Sequence, residues 1–318
     1  MAPASWTQAT AVKVLDSNTY SCDLSDDWCI GTGELYMSIE NKQLQGLLHF
    51  PVPNGGYVTG CILEVVSTHF KTTLAKQDQP HTIALHVEFL RRTSVGPAIF
   101  KIEDVKLGRQ ASVVHVHMSQ EGRDEVVAYV TNSNMTTEKG VSYDIGYSLT
   151  PSRPSVDLEK LANDKDENWY RQTKMPFASF RKASQRVTWH FPRQGQAGKS
   201  LADEWLCFAD GSNFNNSSIG FLADMFPQLV ESHRDQSEGP FWYPTLLLNL
   251  DIKKPVPPEG LRWVAVRVQM KQLRNGRMDL EVHVLDTDGD LLALSHHVGF
   301  VLDASRNTAA RRKPDSRI

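Results

Sequence analysis

The residues best placed to do chemistry stand where short polar side chains meet the start of an apolar, helix-like run. Ala209-Asp210-Gly211-Ser212-Asn213-Phe214 sets an acid and a string of small polar groups at such a start. Asp, Ser and Asn oxygens satisfy the unpaired amides of a first helical turn, so capping explains this composition by itself. The same amides can hold an anion. Gly211, Ser212, Asn213 and Phe214 are therefore candidate oxyanion donors, and Asp210 is the candidate carboxylate for orienting water. Asn54-Gly55-Gly56 opens an earlier run in the same manner, but without an acid. Towards the C-terminus, His296 and His297 lie in a strand-like run and must point to opposite faces, so one of them can face the interior. His297 is expected to be that one. Its imidazole is either a satisfied core histidine or a proton-transfer group effective near neutral pH.

Other motifs fall short of the chemistry they suggest. Gly195-Gln-Ala-Gly198-Lys199-Ser200 looks like a phosphate loop, but Arg193 stands where its first glycine belongs, and a surface loop is expected. Asp286-Thr-Asp288-Gly-Asp290 places its glycine too early for a calcium loop and has His297 where a bidentate Glu is required, which leaves a hairpin turn. His115-Val-His117 puts two imidazoles on one strand face, yet the sequence offers no third ligand, and no metal is expected. A GxSxG elbow is absent, so the chain has no serine nucleophile of that kind.

One order of elements occurs twice and must position these groups. In the first half a helix is expected over 57–70, followed by strands over 83–90, 98–107, 112–118 and 126–131. In the second, a helix over about 214–230 precedes strands over 245–252, 261–271, 278–285 and 291–302. The last hairpins turn at Gly122 and Gly289, and the first strands exit through Arg91-Arg92 and Lys253-Lys254. The expected architecture is α+β: a tandem, or double, hotdog in which each antiparallel sheet wraps a helix and the two sheets pair edge to edge. The expected organisation is an N-terminal domain over 1–150, a linker over 151–174 rich in Pro, Asp, Lys and Asn, a C-terminal domain over 175–305, and a basic, mobile tail over 306–318.

Bulk properties narrow the partners. A net charge of -3 with interspersed signs gives no field for nucleic acid or anionic lipid, and no run is long enough to span a bilayer. Cys22, Cys29, Cys61 and Cys207 show no metal-ligand spacing and fit a reducing compartment. Asn134-Met-Thr136 and Asn215-Asn-Ser217 match the glycosylation sequon, and because no signal peptide is expected from the N-terminal residues the matches are expected to be chance. Cytoplasmic location is expected. The final Ser316-Arg317-Ile318 resembles a degenerate peroxisomal address and supplies the alternative.

Taken in order along the chain, Trp28, Asn54-Gly55-Gly56-Tyr57, Val87 to Arg92, Gly96-Pro97, Phe208-Ala-Asp210 to Phe214, and Thr245 to Pro255 resemble the acyl-CoA thioesterase II family and its thioesterase-like, double-hotdog relatives. The resemblance implies that Asp210, Thr245 and a Gln position occupied here by His297 hold the water that attacks a thioester carbonyl. Because imidazole, like the Gln amide, offers one donor and one acceptor, hydrolysis of an acyl-CoA or carrier-bound acyl group without a cofactor is the first expectation. A lyase, isomerase or cyclase using His297 as acid and base is the second, and a non-catalytic acyl-binding protein the third. The first half is expected to be degenerate or to supply walls for an acyl or pantetheine channel. A homodimer is plausible, because hotdog sheets commonly associate further.

Overall fold

The computed structural model describes residues 2–32, 51–174, 181–235 and 237–303. The basic tail at 306–318, with Ser316-Arg317-Ile318, lies outside the described residues. The strands of the main sheet in the first half are β1 (Lys13–Val14), β2 (Thr19–Leu24), β3 (His81–Phe89), β4 (Gly96–Lys106), β5 (Ala111–Gln120) and β6 (Arg123–Ser133). The second half adds β7 (Trp169–Arg171), β8 (Val187–Pro192), β9 (Leu201–Phe208), β10 (Thr245–Ile252), β11 (Val264–Gln269), β12 (Arg277–Leu285) and β13 (Leu291–Phe300). Four helices accompany them: α1 (Trp6–Ala9), α2 (Gly55–Lys71), α3 (Leu158–Ala162) and α4 (Ser218–Leu222).

The sheet runs β1-β2-β4-β5-β6-β3-β10-β13-β12-β11-β9-β8-β7, with a short strand, Leu273–Arg274, beside β12. Outward from the β3–β10 join the two halves therefore share one strand order, and the second adds β7 at its edge. That join is antiparallel, with Leu85 opposite Leu250, His86 opposite Asn249 and Val87 opposite Leu248. These registers place an approximate twofold axis through the His86–Asn249 pair, where Nδ1 of His86 and Oδ1 of Asn249 are 2.7 Å apart. Joining the halves here removes what would otherwise be two exposed strand edges.

Helix α2 forms because Asn54 caps it, its side-chain oxygen accepting from the Tyr57 amide at 2.9 Å, and because apolar residues follow on nearly every side. Val58, Cys61, Ile62, Val65 and Val66 are buried under the sheet, as expected of a helix that is hydrophobic nearly all round. Its remaining face meets α4 at very short range. A Cβ on Gly56 would lie 2.8 Å from the Gly220 carbonyl oxygen, and one on Gly220 would lie 3.1 Å from the Gly60 amide nitrogen. Small residues on both helices permit this approach.

The second helix is far shorter than the expected 214–230. Phe214 is held in a bridge to Leu261, with its amide donating to the Leu261 carbonyl at 2.8 Å, so the helix cannot begin there. Pro227 lacks an amide proton and disfavours helical geometry at Phe226, which closes the other end. The segment 151–174, expected as a linker, carries α3 and β7 and packs Leu161 and Trp169 against Trp205, Cys207 and Trp263 on the outer sheet face. Strand β9 is consequently buried on both faces. All four cysteines are free and buried. Among the described residues, no helix is long and apolar enough to cross a membrane.

Candidate active site

The amino end of α2, the turn after α4 and the inner face of β13 converge at the join between the halves. Asp224 follows α4 and reaches across to the first half. Its Oδ2 accepts from the Gly56 amide at 2.7 Å and from Nδ2 of Asn54 at 3.1 Å. Gly56 must be a glycine for this to occur, since a Cβ there would lie 2.6 Å from Cβ of Asp224. The other oxygen, Oδ1, lies 3.8 Å from Nδ1 of His297. The positive end of the α2 dipole stands behind the carboxylate.

His297 is buried on the inner face of β13, in the pattern that puts Ala293, Ser295 and His297 inward. The Ser295 hydroxyl donates its single proton to the Asn249 carbonyl at 2.7 Å. It therefore accepts from Nε2–H of His297 at 3.0 Å. This tautomer leaves the lone pair on Nδ1, the atom nearest Asp224. Among the described residues, Nδ1 has no hydrogen-bond partner. Phe226 packs edge-on against the imidazole, with centroids 5.7 Å apart.

Burial sets the protonation states. It pushes the Asp224 carboxyl up from 3.8 to about 6, against the opposing pull of the Gly56 amide and the Asn54 side chain. Burial, with a smaller contribution from neighbouring His296, pushes His297 down from 6.5 to about 3, while the Ala223 carbonyl pulls the other way. At neutral pH the pair is a carboxylate with a pKa close to the working range beside a neutral imidazole. Two acceptors 3.8 Å apart, Oδ1 and Nδ1, can each receive one proton of a single water molecule.

Thr245 completes the inner face at the start of β10. It opposes Gly299, two residues on from His297, and the register shift between Thr245 and Leu247 keeps it on the side of Leu248 and Leu250. The ring of Phe89 lies 3.4 Å from where a Gly55 Cβ would stand, forming a wall at the helix end. Among the described residues, the Gly55 amide donates to no acceptor, and so it is available to an incoming oxygen.

The sequence-predicted residues separate into two places. Thr245, His297, Asn54, Gly55 and Gly56 share this site. Asp210 is exposed and accepts from the amide and hydroxyl of Ser212, at 2.9 and 2.6 Å. Gly211 takes a positive φ of 86° in that turn, and Asn213 donates to the Glu259 carbonyl. Ser212 and Asn213 are exposed, and the Phe214 amide is spent on Leu261. The acid beside His297 is thus Asp224. Its signal in the sequence is a lone carboxylate inside the apolar run Phe221-Leu-Ala-Asp224-Met-Phe226.

The twofold axis supplies a counterpart in the other half. Asn215 stands just ahead of α4, its side-chain oxygen accepting from the Ser218 amide three residues on at 3.0 Å, as that of Asn54 accepts from the Tyr57 amide. Nine residues beyond each of these asparagines stand Leu63 and Asp224. Val130 opposes Leu85 as His297 opposes Leu248, and Ala128 opposes Val87 as Ser295 opposes Leu250. Thr82, like Thr245, precedes a register shift. A cavity of about 270 Å³ lined by Leu63, Thr82, Asn215 and Ile252 occupies this counterpart; Leu63 and Val130 take the positions of Asp224 and His297, and Glu64 and His81 line the cavity from other positions. A second cavity, of about 230 Å³ and lined by Tyr170, Phe191, Leu201 and Leu229, includes neither Asp224 nor His297.

Comparison with known proteins bears on the family and the fold. Residues 48–133 match the acyl-CoA thioesterase N-terminal domain, and residues 155–301 match the acyl-CoA thioesterase C-terminal domain. The thioesterase-like protein TwmA of Talaromyces wortmannii is 33% identical, over 98% of this chain and 95% of that one. Among solved structures, a thioesterase II from Thermobifida fusca superposes with a TM-score of 0.68 at 20% identity, covering 95% of this chain and 98% of the other. A hotdog-fold protein of Alicyclobacillus acidocaldarius gives 0.70 at 16% identity, covering 94% and 98%.

Proposed function

Because the chain belongs to the acyl-CoA thioesterase family, with two hotdog halves, we propose that it hydrolyses an acyl thioester, on CoA or on a carrier protein, by direct attack of water at Asp224. The observation that carries this reading is the pairing of Asp224 Oδ1 with His297 Nδ1 at the amino end of α2. Water donates one proton to each, and its lone pair is left for the carbonyl carbon. Asp224 takes a proton as the carbon–oxygen bond forms, and returns it to sulfur as the carbon–sulfur bond breaks. The Gly55 amide and the α2 dipole stabilise the charge that develops on the carbonyl oxygen. Thr245 positions the acyl group or the water, and Phe89 and Phe226 keep bulk solvent out.

A second reading rests on the same pair. A carboxylate beside an imidazole can also move a proton between carbon and oxygen, as an elimination, isomerisation or cyclisation requires. The depressed pKa of His297 counts against it, since a group held near 3 stores no proton to donate at neutral pH. A panel of acyl-CoA and acyl-carrier substrates, read by thiol release on wild type and Asp224→Asn, separates the two. Hydrolysis is supported by release that the variant loses. Absence of thiol release from every chain length and carrier refutes it.

A further inference from the structure

The outer face of the first half holds a group of side chains that the thioester site does not use. We propose that Glu103, His115 and His117 bind one divalent late transition-metal ion, zinc or copper(II), on this face of the sheet. The sequence shows the two imidazoles two residues apart on β5; the third ligand appears only when β4 pairs beside it. Glu103 lies directly opposite His115 in that ladder. One ligand atom from each of the three residues falls within 4.8 Å of the others. Around an ion bonded at about 2.0–2.1 Å, such atoms stand about 3 to 3.5 Å apart, a gap that rotation of the exposed Glu103 side chain closes.

Two neighbours hold the imidazoles ready. Asp124 Oδ2 lies 3.1 Å from His117 Nδ1, so that nitrogen donates to the carboxylate and Nε2 is left as the ligand atom. A carboxylate behind a histidine fixes the tautomer and raises the basicity of the ligating nitrogen. Tyr129, on β6, stacks on the His115 ring with centroids 4.3 Å apart and an interplanar angle of 7°. Two nitrogens and one oxygen suit copper(II) or zinc better than calcium or magnesium, which prefer all-oxygen shells. Water fills the remaining positions. Val114 and Val116 alternate with the two histidines and point into the core, so the ion stands on the opposite face of the sheet from the interior.

Calorimetric titration of chelator-stripped full-length protein with zinc, and separately with copper(II), tests the site. The expected result is saturation at one ion per chain, with Glu103→Gln, His115→Ala and His117→Ala each weakening affinity at least tenfold. Asp124→Asn, which removes no ligand, is expected to weaken it about tenfold through the imidazole it positions. Unchanged melting temperatures of the stripped variants confirm intact folding. No saturable binding of either ion, or binding that survives loss of either histidine, overturns the proposal.

Discussion

Replacing Asp224 with Asn separates what the carboxylate does for function from what it costs the fold. Burial raises its pKa from 3.8 to about 6, which corresponds to about 3 kcal/mol of destabilisation when the group is ionised. Asn has the same shape without the charge. With its side-chain oxygen in the place of Oδ2 it still accepts from both the Gly56 amide and Nδ2 of Asn54, and its amide group stands in the place of Oδ1. The variant is therefore expected to be more stable than wild type by up to about 3 kcal/mol above pH 6. The sign follows from proton uptake: between 3.8 and about 6 the folded wild type binds the proton more tightly than the unfolded chain. Wild type thus loses stability as pH rises through that window, and the non-titrating variant does not. His297 titrates in an overlapping range with the opposite sign, but it is present in both proteins and cancels to first order in the difference. Urea unfolding of both proteins at several pH values measures that difference. It should be close to zero near pH 4, grow to pH 6 and level off above it. Thiol release should fall by about 10²- to 10⁴-fold, the usual contribution of a general base. A variant less stable than wild type at pH 8, or a pH-independent difference, would show that Gly56 and Asn54 stabilise the charge fully, and the reasoning from burial would fail.

If Asp224 is the base, kcat/KM for thioester hydrolysis should rise with pH to a plateau with an apparent pKa near 6, with no second limb from His297 between pH 6 and 9; a bell centred on neutrality would point to imidazolium chemistry instead. His297→Gln, which keeps a donor and an acceptor, should retain hydrolysis within about tenfold, whereas His297→Ala should lose at least a hundredfold, as steady-state rates will tell. Asp210→Asn should leave the rate unchanged, because that carboxylate is exposed and bonded to Ser212; a large loss would restore the assignment suggested by sequence. Gly56→Ala forces a methyl group to 2.6 Å from Asp224 Cβ and 2.8 Å from the Gly220 carbonyl oxygen. It should lower stability by about 1–3 kcal/mol in denaturant unfolding and reduce hydrolysis along with it.

Sequence by itself was enough for whatever depends on near neighbours. Period-two alternation located β10 at Thr245–Ile252 and came within three residues of each end of the remaining predicted strands. The repeated order of helix and four strands was legible for the same reason, and so was the choice of His297 over His296, since the pleat alternates faces whatever the strand pairs with. The helix over 214–230 was overextended because apolar spacing does not register that Phe214 is bridged to Leu261, forty-odd residues away. Tertiary structure alone decided which acid stands beside His297. Asp210, among Ser and Asn at an apparent helix start, has the local composition of a functional carboxylate, while Asp224 is a lone carboxylate in an apolar run with no polar neighbour in sequence to mark a site. Its placement comes from the meeting of two halves: the turn after α4 crosses to the amino end of α2, so a carboxylate finds Asn54 170 positions away and Gly56 168 away. Glu103 joins His115 and His117 through strand register in the same way. Local spacing reports which face a side chain takes; it carries no information about which distant backbone will stand opposite, because that is set by the packing of whole elements.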